Sequence, residues 1–156
     1  MNPTRSRLLY LVLRFLVAGV FLWSGASKAL HPELFEETVG AYGLLPPVLV
    51  FPFALAFICA EIVAGIGLFL DKRGALALIA LMMVVFLAVL GYGISLGLDV
   101  DCGCFGPNDP EAQVFHDLRG AFIRDLFILL AIVYLYIWRL SNGLSPRPWF
   151  GDRLGS

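Results

Sequence analysis

Two thiols separated by a single glycine stand in the run Asp101-Cys102-Gly103-Cys104-Phe105-Gly106-Pro107, and they are the residues of this 156-residue chain best suited to chemistry. Such a pair closes only a small, tight ring. Strained and exposed disulfides are more oxidising and more labile than structural ones, so the pair suits exchange with a partner's thiols through a mixed disulfide. Glycine relaxes the backbone between the sulfurs, and Gly106-Pro107 fixes the far side of the loop. Two other readings fit the same spacing. Thiolates select soft metals, copper(I) above all, and a stapled loop can also be a docking surface on a non-catalytic subunit. With three cysteines in all, the chain has too few for a disulfide scaffold or a self-contained four-thiolate zinc site, and no metal site is assigned.

Exchange requires a thiolate, which a neighbouring cation favours. Asp99 and Asp101 work against ionisation of Cys102, so the cation must come from elsewhere in the chain. Lys28, Arg119 and Arg124 are available, together with His31 or His116 when protonated. Of these, Lys28 and Arg124 are expected to meet a thiolate or an acceptor's oxygen, and His116 to carry a proton. The ionisable residues inside apolar stretches need partners, since each costs roughly 2.5–3.5 kcal/mol at the centre of a membrane helix. Counted from the same side, Arg14 stands about 10 Å deep and Glu61 about 13 Å, and the two are expected to pair and fix the register of their helices. Neighbours in sequence do not face each other on a helix, so Arg124 and Asp125 are expected to point to different partners. Lys28 is the expected cation for Asp125. Cys59, twelve residues into its apolar stretch, is expected to be a buried small hydrophobe.

The elements that hold these residues follow from composition. The chain is 60% hydrophobic and only 15% charged, with a mean hydropathy of +0.86, against about a quarter charged in a soluble domain. A disordered chain, a nucleic-acid binder with a basic face and a water-soluble domain are excluded. The net charge of −1 selects no partner class. Four stretches, 8–30, 47–70, 75–98 and 121–140, have the roughly 20 apolar residues that a span of about 30 Å requires. The sequence predicts an all-α polytopic membrane four-helix bundle forming one membrane domain, with outer loops at 31–46 and 99–120. His31-Pro32-Glu33 and Asp109-Pro110-Glu111 each read as the start of a short interfacial helix. Tyr42, Tyr92, Trp138 and Trp149 fit interfacial belts, and Gly93 with Gly97 spells a small-xxx-small helix contact. Arg5 and Arg7 ahead of the first stretch resemble a secretory leader, but Arg14 interrupts its apolar core and favours a retained span. Arg5, Arg7, Lys72, Arg73, Arg139, Arg147 and Arg153 share one side, which predicts a plasma or inner membrane protein with both termini cytoplasmic and the Cys-Gly-Cys loop extracytoplasmic.

Arg14, Gly19-Val20-Phe21, Ser24-Gly25, Lys28, Glu61, the run from Asp101 to Gly106 and Arg124-Asp125 together resemble the methylamine utilisation protein MauE family, within the wider DoxX-like group of four-helix membrane proteins. The likeness covers roughly residues 8–138, and Cys-Gly-Cys-Phe-Gly is its specific element. The resemblance implies a role in maturing an exported, disulfide-rich partner, as the family supports the disulfide-rich subunit of methylamine dehydrogenase. The combined expectation is a membrane thiol–disulfide oxidoreductase whose Cys102–Cys104 pair acts on a thioredoxin-like or disulfide-rich extracytoplasmic protein. A quinone in the bilayer is the economical acceptor, by an analogy of architecture with vitamin K epoxide reductase.

Overall fold

The computed structural model describes residues 3–97, 118–144 and 146–148. Among the described residues five helices run in the order α1 (Pro3–Leu30), α2 (Pro32–Ala41), α3 (Pro47–Phe69), α4 (Ala75–Leu96) and α5 (Leu118–Asn142), and no strand is formed. Prolines open α2 and α3, where a missing amide donor costs nothing. Left-handed glycines, Gly74 at φ 84° and Gly97 at φ 66°, bound α4. The expected first interfacial helix is α2, and the one expected from Asp109 lies outside the described residues, as do Asp99, Asp101, Cys102, Cys104 and His116.

Four helices, α1, α3, α4 and α5, are long and apolar enough to cross a membrane. Their outward faces carry Trp23, Val48, Leu81, Phe127 and Leu140, all more than half exposed. So broad an apolar surface is stable only in lipid. Inside, Leu68, Leu76, Ile79, Ile132 and Leu135 close the core. Cys59 belongs to the outward set: it is exposed on α3 and not buried as expected, because Ala54, Ile58, Glu61 and Gly65 take the inward stripe of that helix.

The tightest contact joins α1 and α3, which run antiparallel. A Cβ on Gly65 would stand 2.9 Å from Leu22 Cγ and 3.2 Å from the Leu22 amide nitrogen, and one on Gly25 would stand 2.8 Å from Ile62 Cγ1. Both positions need glycine for space alone. Gly65→Ala is therefore expected to push the helices apart and cost about 1–3 kcal/mol, as overpacking does, and a lowered thermal midpoint in detergent would register it. Gly93 serves differently from expectation: it faces the Tyr42 ring and Leu118, with 2.7 Å to Tyr42 Cε1 for an added Cβ, while Gly97 is the cap of α4. Tyr42 is accordingly buried in the protein instead of standing in an interfacial belt, and Trp138 stacks on Tyr10 at 4.2 Å.

At the end where α3 turns into α4, Asp71 is the hub. Its carboxylate accepts from Arg139 of α5 and pairs with Arg14 of α1 at 3.4 Å, and Arg14 Nη2 also donates to the Phe69 carbonyl at 3.2 Å. Arg139 Nε donates to the Tyr10 hydroxyl at 2.9 Å. The segment after α5 closes over the same turn, with Arg147 N donating to Asp71 O at 3.0 Å and Arg73 N to Arg147 O at 2.8 Å. Asp71 holds φ 57°, a conformation that asparagine also tolerates, so Asp71→Asn removes the charge and leaves the turn. With the carboxylate side chain 32% exposed, the expected loss is about 1–2 kcal/mol of thermal stability, shrinking in high salt.

Candidate functional site

Ser24 and Lys28 are four residues apart on one face of α1, and Gly25 lets α3 approach that face closely. Glu61 arrives from α3. Lys28 Nζ donates to Glu61 Oε2 at 2.8 Å, to Glu61 Oε1 at 3.0 Å and to Ser24 Oγ at 2.8 Å, while Ser24 Oγ lies 2.9 Å from Glu61 Oε1. Lys28, Glu61 and Ser24 are 3%, 6% and 5% exposed. An ammonium has three donors, and here all three are spent within the cluster. Around it stand the rings of Phe35, Phe57 and Phe86, with centroids 5.1, 5.7 and 5.8 Å from Nζ. Such faces are negative and favour the cation.

Beside this triad α5 brings a second pair. Arg124 Nε donates to Asp125 Oδ1 at 3.1 Å. The other carboxylate oxygen, Asp125 Oδ2, is buried and has no hydrogen-bond partner among the described residues. A cavity of about 40 Å³ is lined by Ser24, Lys28, Glu61, Arg124 and Asp125, with Phe57 and Phe86 among its apolar walls. A water needs about 10–15 Å³ of such space and two to four polar partners, so the cavity can hold a small number of waters between the two charge pairs. Two cationic and two carboxylic side chains are present, so their formal charges cancel within the apolar bundle.

Three expected pairings are corrected here. Arg14 does not meet Glu61, because depth counted from the ends of the apolar stretches misjudged how far α1 extends. Ser24 faces Glu61, and ten residues toward the start of α1 Arg14 faces Asp71, ten residues further along the antiparallel α3 and its turn. Glu61 is thus about 15 Å of helix away from Arg14's level. Lys28 is not the hydrogen-bonding cation of Asp125, because Glu61 and Ser24 use its three donors, although both residues line one cavity. Arg124 and Asp125 do meet each other. Their Cβ atoms diverge as adjacent positions must, yet the long arginine side chain curls across to the shorter acid. Ser24 is the member that sequence reasoning missed as a partner, and its signal was the four-residue spacing to Lys28.

The cluster belongs to the end of the bundle opposite Asp71. Lys28 lies two residues before the end of α1, and Gly97 and Leu118, which bracket Cys102 and Cys104 in the sequence, stand at that same end. Leu118 packs with Leu90 and Ala121. Among the described residues no group of three or more His, Cys, Asp or Glu side chains could hold a metal ion.

Comparison with known proteins adds one match. The family described as Methylamine utilisation protein MauE matches residues 6–138. No curated protein and no solved structure matches.

Proposed function

The chain belongs to the MauE family, as a multi-pass membrane protein, and on that premise we propose that it is a membrane thiol–disulfide oxidoreductase of the maturation machinery for exported proteins. A partner thiolate attacks one sulfur of the Cys102–Cys104 disulfide, a mixed disulfide forms and the other sulfur leaves as a thiolate. The partner's second thiolate then resolves the mixed disulfide. The partner gains a disulfide, and Cys102 and Cys104 are left as a dithiol. Reoxidation of the dithiol releases two electrons and two protons, which a quinone in the bilayer takes up as it becomes a quinol.

The observation that carries this reading is that Gly97 and Leu118, between which Cys102 and Cys104 lie in the sequence, stand at the same end of the apolar bundle as a buried charged cluster. Arg124, whose side chain is 29% exposed, is the cation suited to favour a thiolate. Lys28, with its donors committed, holds Glu61 and sets the field of the cavity. Asp125 Oδ2, with no hydrogen-bond donor among the described residues, serves as a proton acceptor, and His116 is the proton carrier nearest the cysteines in sequence. The clustering of basic residues around the Asp71 end favours a cytoplasmic location for that end and an extracytoplasmic one for the cysteines.

Alkylation of intact cells with an impermeant maleimide of large mass tests both chemistry and sidedness. Cys59, exposed toward lipid, is first replaced by alanine to remove background. The expected result is no shift as isolated and a shift of two thiols after dithiothreitol, both without permeabilisation. Thiols reached only after permeabilisation, or inert to reductant and oxidant alike, would overturn the proposal.

A further inference from the structure

Behind Phe57 and Phe86, on the side away from the charged cavity, lies a second and larger space of about 230 Å³. It exists because α2 packs along α3 but not on α4, leaving a gap between α2 and α4. Tyr42 against Gly93 closes the gap at its outer end. The walls are aromatic on several sides, with Phe35, Tyr42, Phe53, Phe57 and Phe86 all contributing, and they are almost wholly apolar. Phe35 and Phe53 flank Phe57 at centroid separations of 5.7 and 6.1 Å. Leu44, Phe53 and Val85, each more than 40% exposed, stand at the mouth on the lipid-facing surface.

We infer that this pocket binds the ring of a lipid-soluble quinone. The inference rests on the oxidoreductase reading for why such a ligand is needed, and on the pocket itself for where it sits. An apolar cavity of about 150 Å³ suffices for benzene, so about 230 Å³ takes one substituted ring and the first part of its tail, the rest of the tail leaving through the lipid-facing mouth. Planar rings stack well on aromatic walls. A saturated acyl chain gains apolar burial there but no ring stacking. The location also serves the electron transfer. Leu90, in the wall, is six residues from the end of α4 at Leu96, and Cys102 follows five residues after Gly97. Reduction of the ring takes up the two electrons and two protons that the dithiol releases and yields the quinol.

Photolabelling of the purified, delipidated protein in nanodiscs with an azido-benzoquinone carrying a short tail tests the site. The expected label falls on peptides of α3 and α4, is competed by decyl-ubiquinone and is not competed by decanol. Val89→Trp and Val85→Trp, which fill the pocket from α4, are expected to lower labelling at least tenfold. Leu130→Trp, on the lipid face of α5, is expected to leave it unchanged. Thermal unfolding identifies any variant that fails to fold, and the two filling substitutions report independently. The Cys102→Ser, Cys104→Ser double variant is expected to label normally while reducing no quinone. Normal labelling with no quinone reduction by the wild type would sink the oxidoreductase reading and leave this site standing. Labelling unaffected by both filling variants, or competed equally by decanol, would overturn the site and show a pocket for lipid tails.

Discussion

Lys28→Met is expected to remove most of the folded protein from the membrane. The substitution keeps an unbranched side chain of similar length and deletes the three donors that hold Glu61 and Ser24. Glu61, 6% exposed, is then a carboxylate in an apolar bundle with Ser24 as its remaining hydrogen-bond donor in the cluster. Removing one partner of a buried pair costs about 3–5 kcal/mol, a large share of the roughly 5–15 kcal/mol that holds a typical domain together. Glu61→Gln is expected to be nearly as harmful, since it strands the ammonium. The informative variant is the double one, Lys28→Met with Glu61→Leu, which removes both charges at nearly constant volume. It is expected to recover most of the lost stability, as double-mutant logic requires when the penalty is an unpaired charge. The measurements are the yield of monodisperse protein after extraction and its thermal midpoint. A Lys28→Met protein as stable as the parent would refute the assignment of these contacts as the anchor of α1 on α3. A double variant that folds fully yet fails in thiol exchange would show that the charges also serve the chemistry.

The spans and the buried pairs differ in how far they could be read from the sequence, for a physical reason. Apolar runs of about twenty residues have one solution in lipid, so α1, α3, α4 and α5 were legible to within a few residues. Pro32 followed by Glu33 was enough to place α2. Pairings between helices depend instead on their axial offset, which no single helix encodes. Arg14 and Glu61 looked level because each was measured from the end of its own apolar stretch. The actual offset is set by Gly25 and Gly65, whose missing side chains let α1 and α3 meet in one register. In that register Glu61 falls opposite Ser24, and Arg14 falls opposite the turn at Asp71. Asp71 was not singled out in the sequence, because its two arginines come from helices far away along the chain. The charged residues were thus legible as a set that needed partners, and the partners were not. Packing also reassigned Cys59: periodicity alone could not decide whether it faced protein or lipid, since both are apolar.

Replacing either cysteine of the pair is expected to have the largest effect on activity. A disulfide cannot form from one sulfur, so Cys102→Ser and Cys104→Ser should each lower thiol exchange with a partner by roughly 10³-fold or more, toward the uncatalysed rate, because the covalent path is lost altogether. The two variants are expected to differ in what they trap. Where the remaining thiol is the one that partners attack, a mixed disulfide accumulates because its resolving neighbour is gone, and non-reducing electrophoresis shows it. Where the remaining thiol is the resolving one, no adduct forms. That asymmetry would identify the nucleophile, which residue type and spacing leave open. Stability should be nearly unchanged in both variants, in contrast with Lys28→Met, because a small loop ring restrains the unfolded chain little. Cys59→Ala is the matched control and should exchange at the parent's rate, since that side chain lies on the lipid face of α3, and α3 leaves it no route to the loop. Two results would assign the pair otherwise. Near-stoichiometric copper in the purified protein, lost on Cys102→Ser, would make the thiolates a metal site. Partner maturation intact without either sulfur would make the loop a docking surface, leaving the buried charges of α1, α3 and α5 as a structural device.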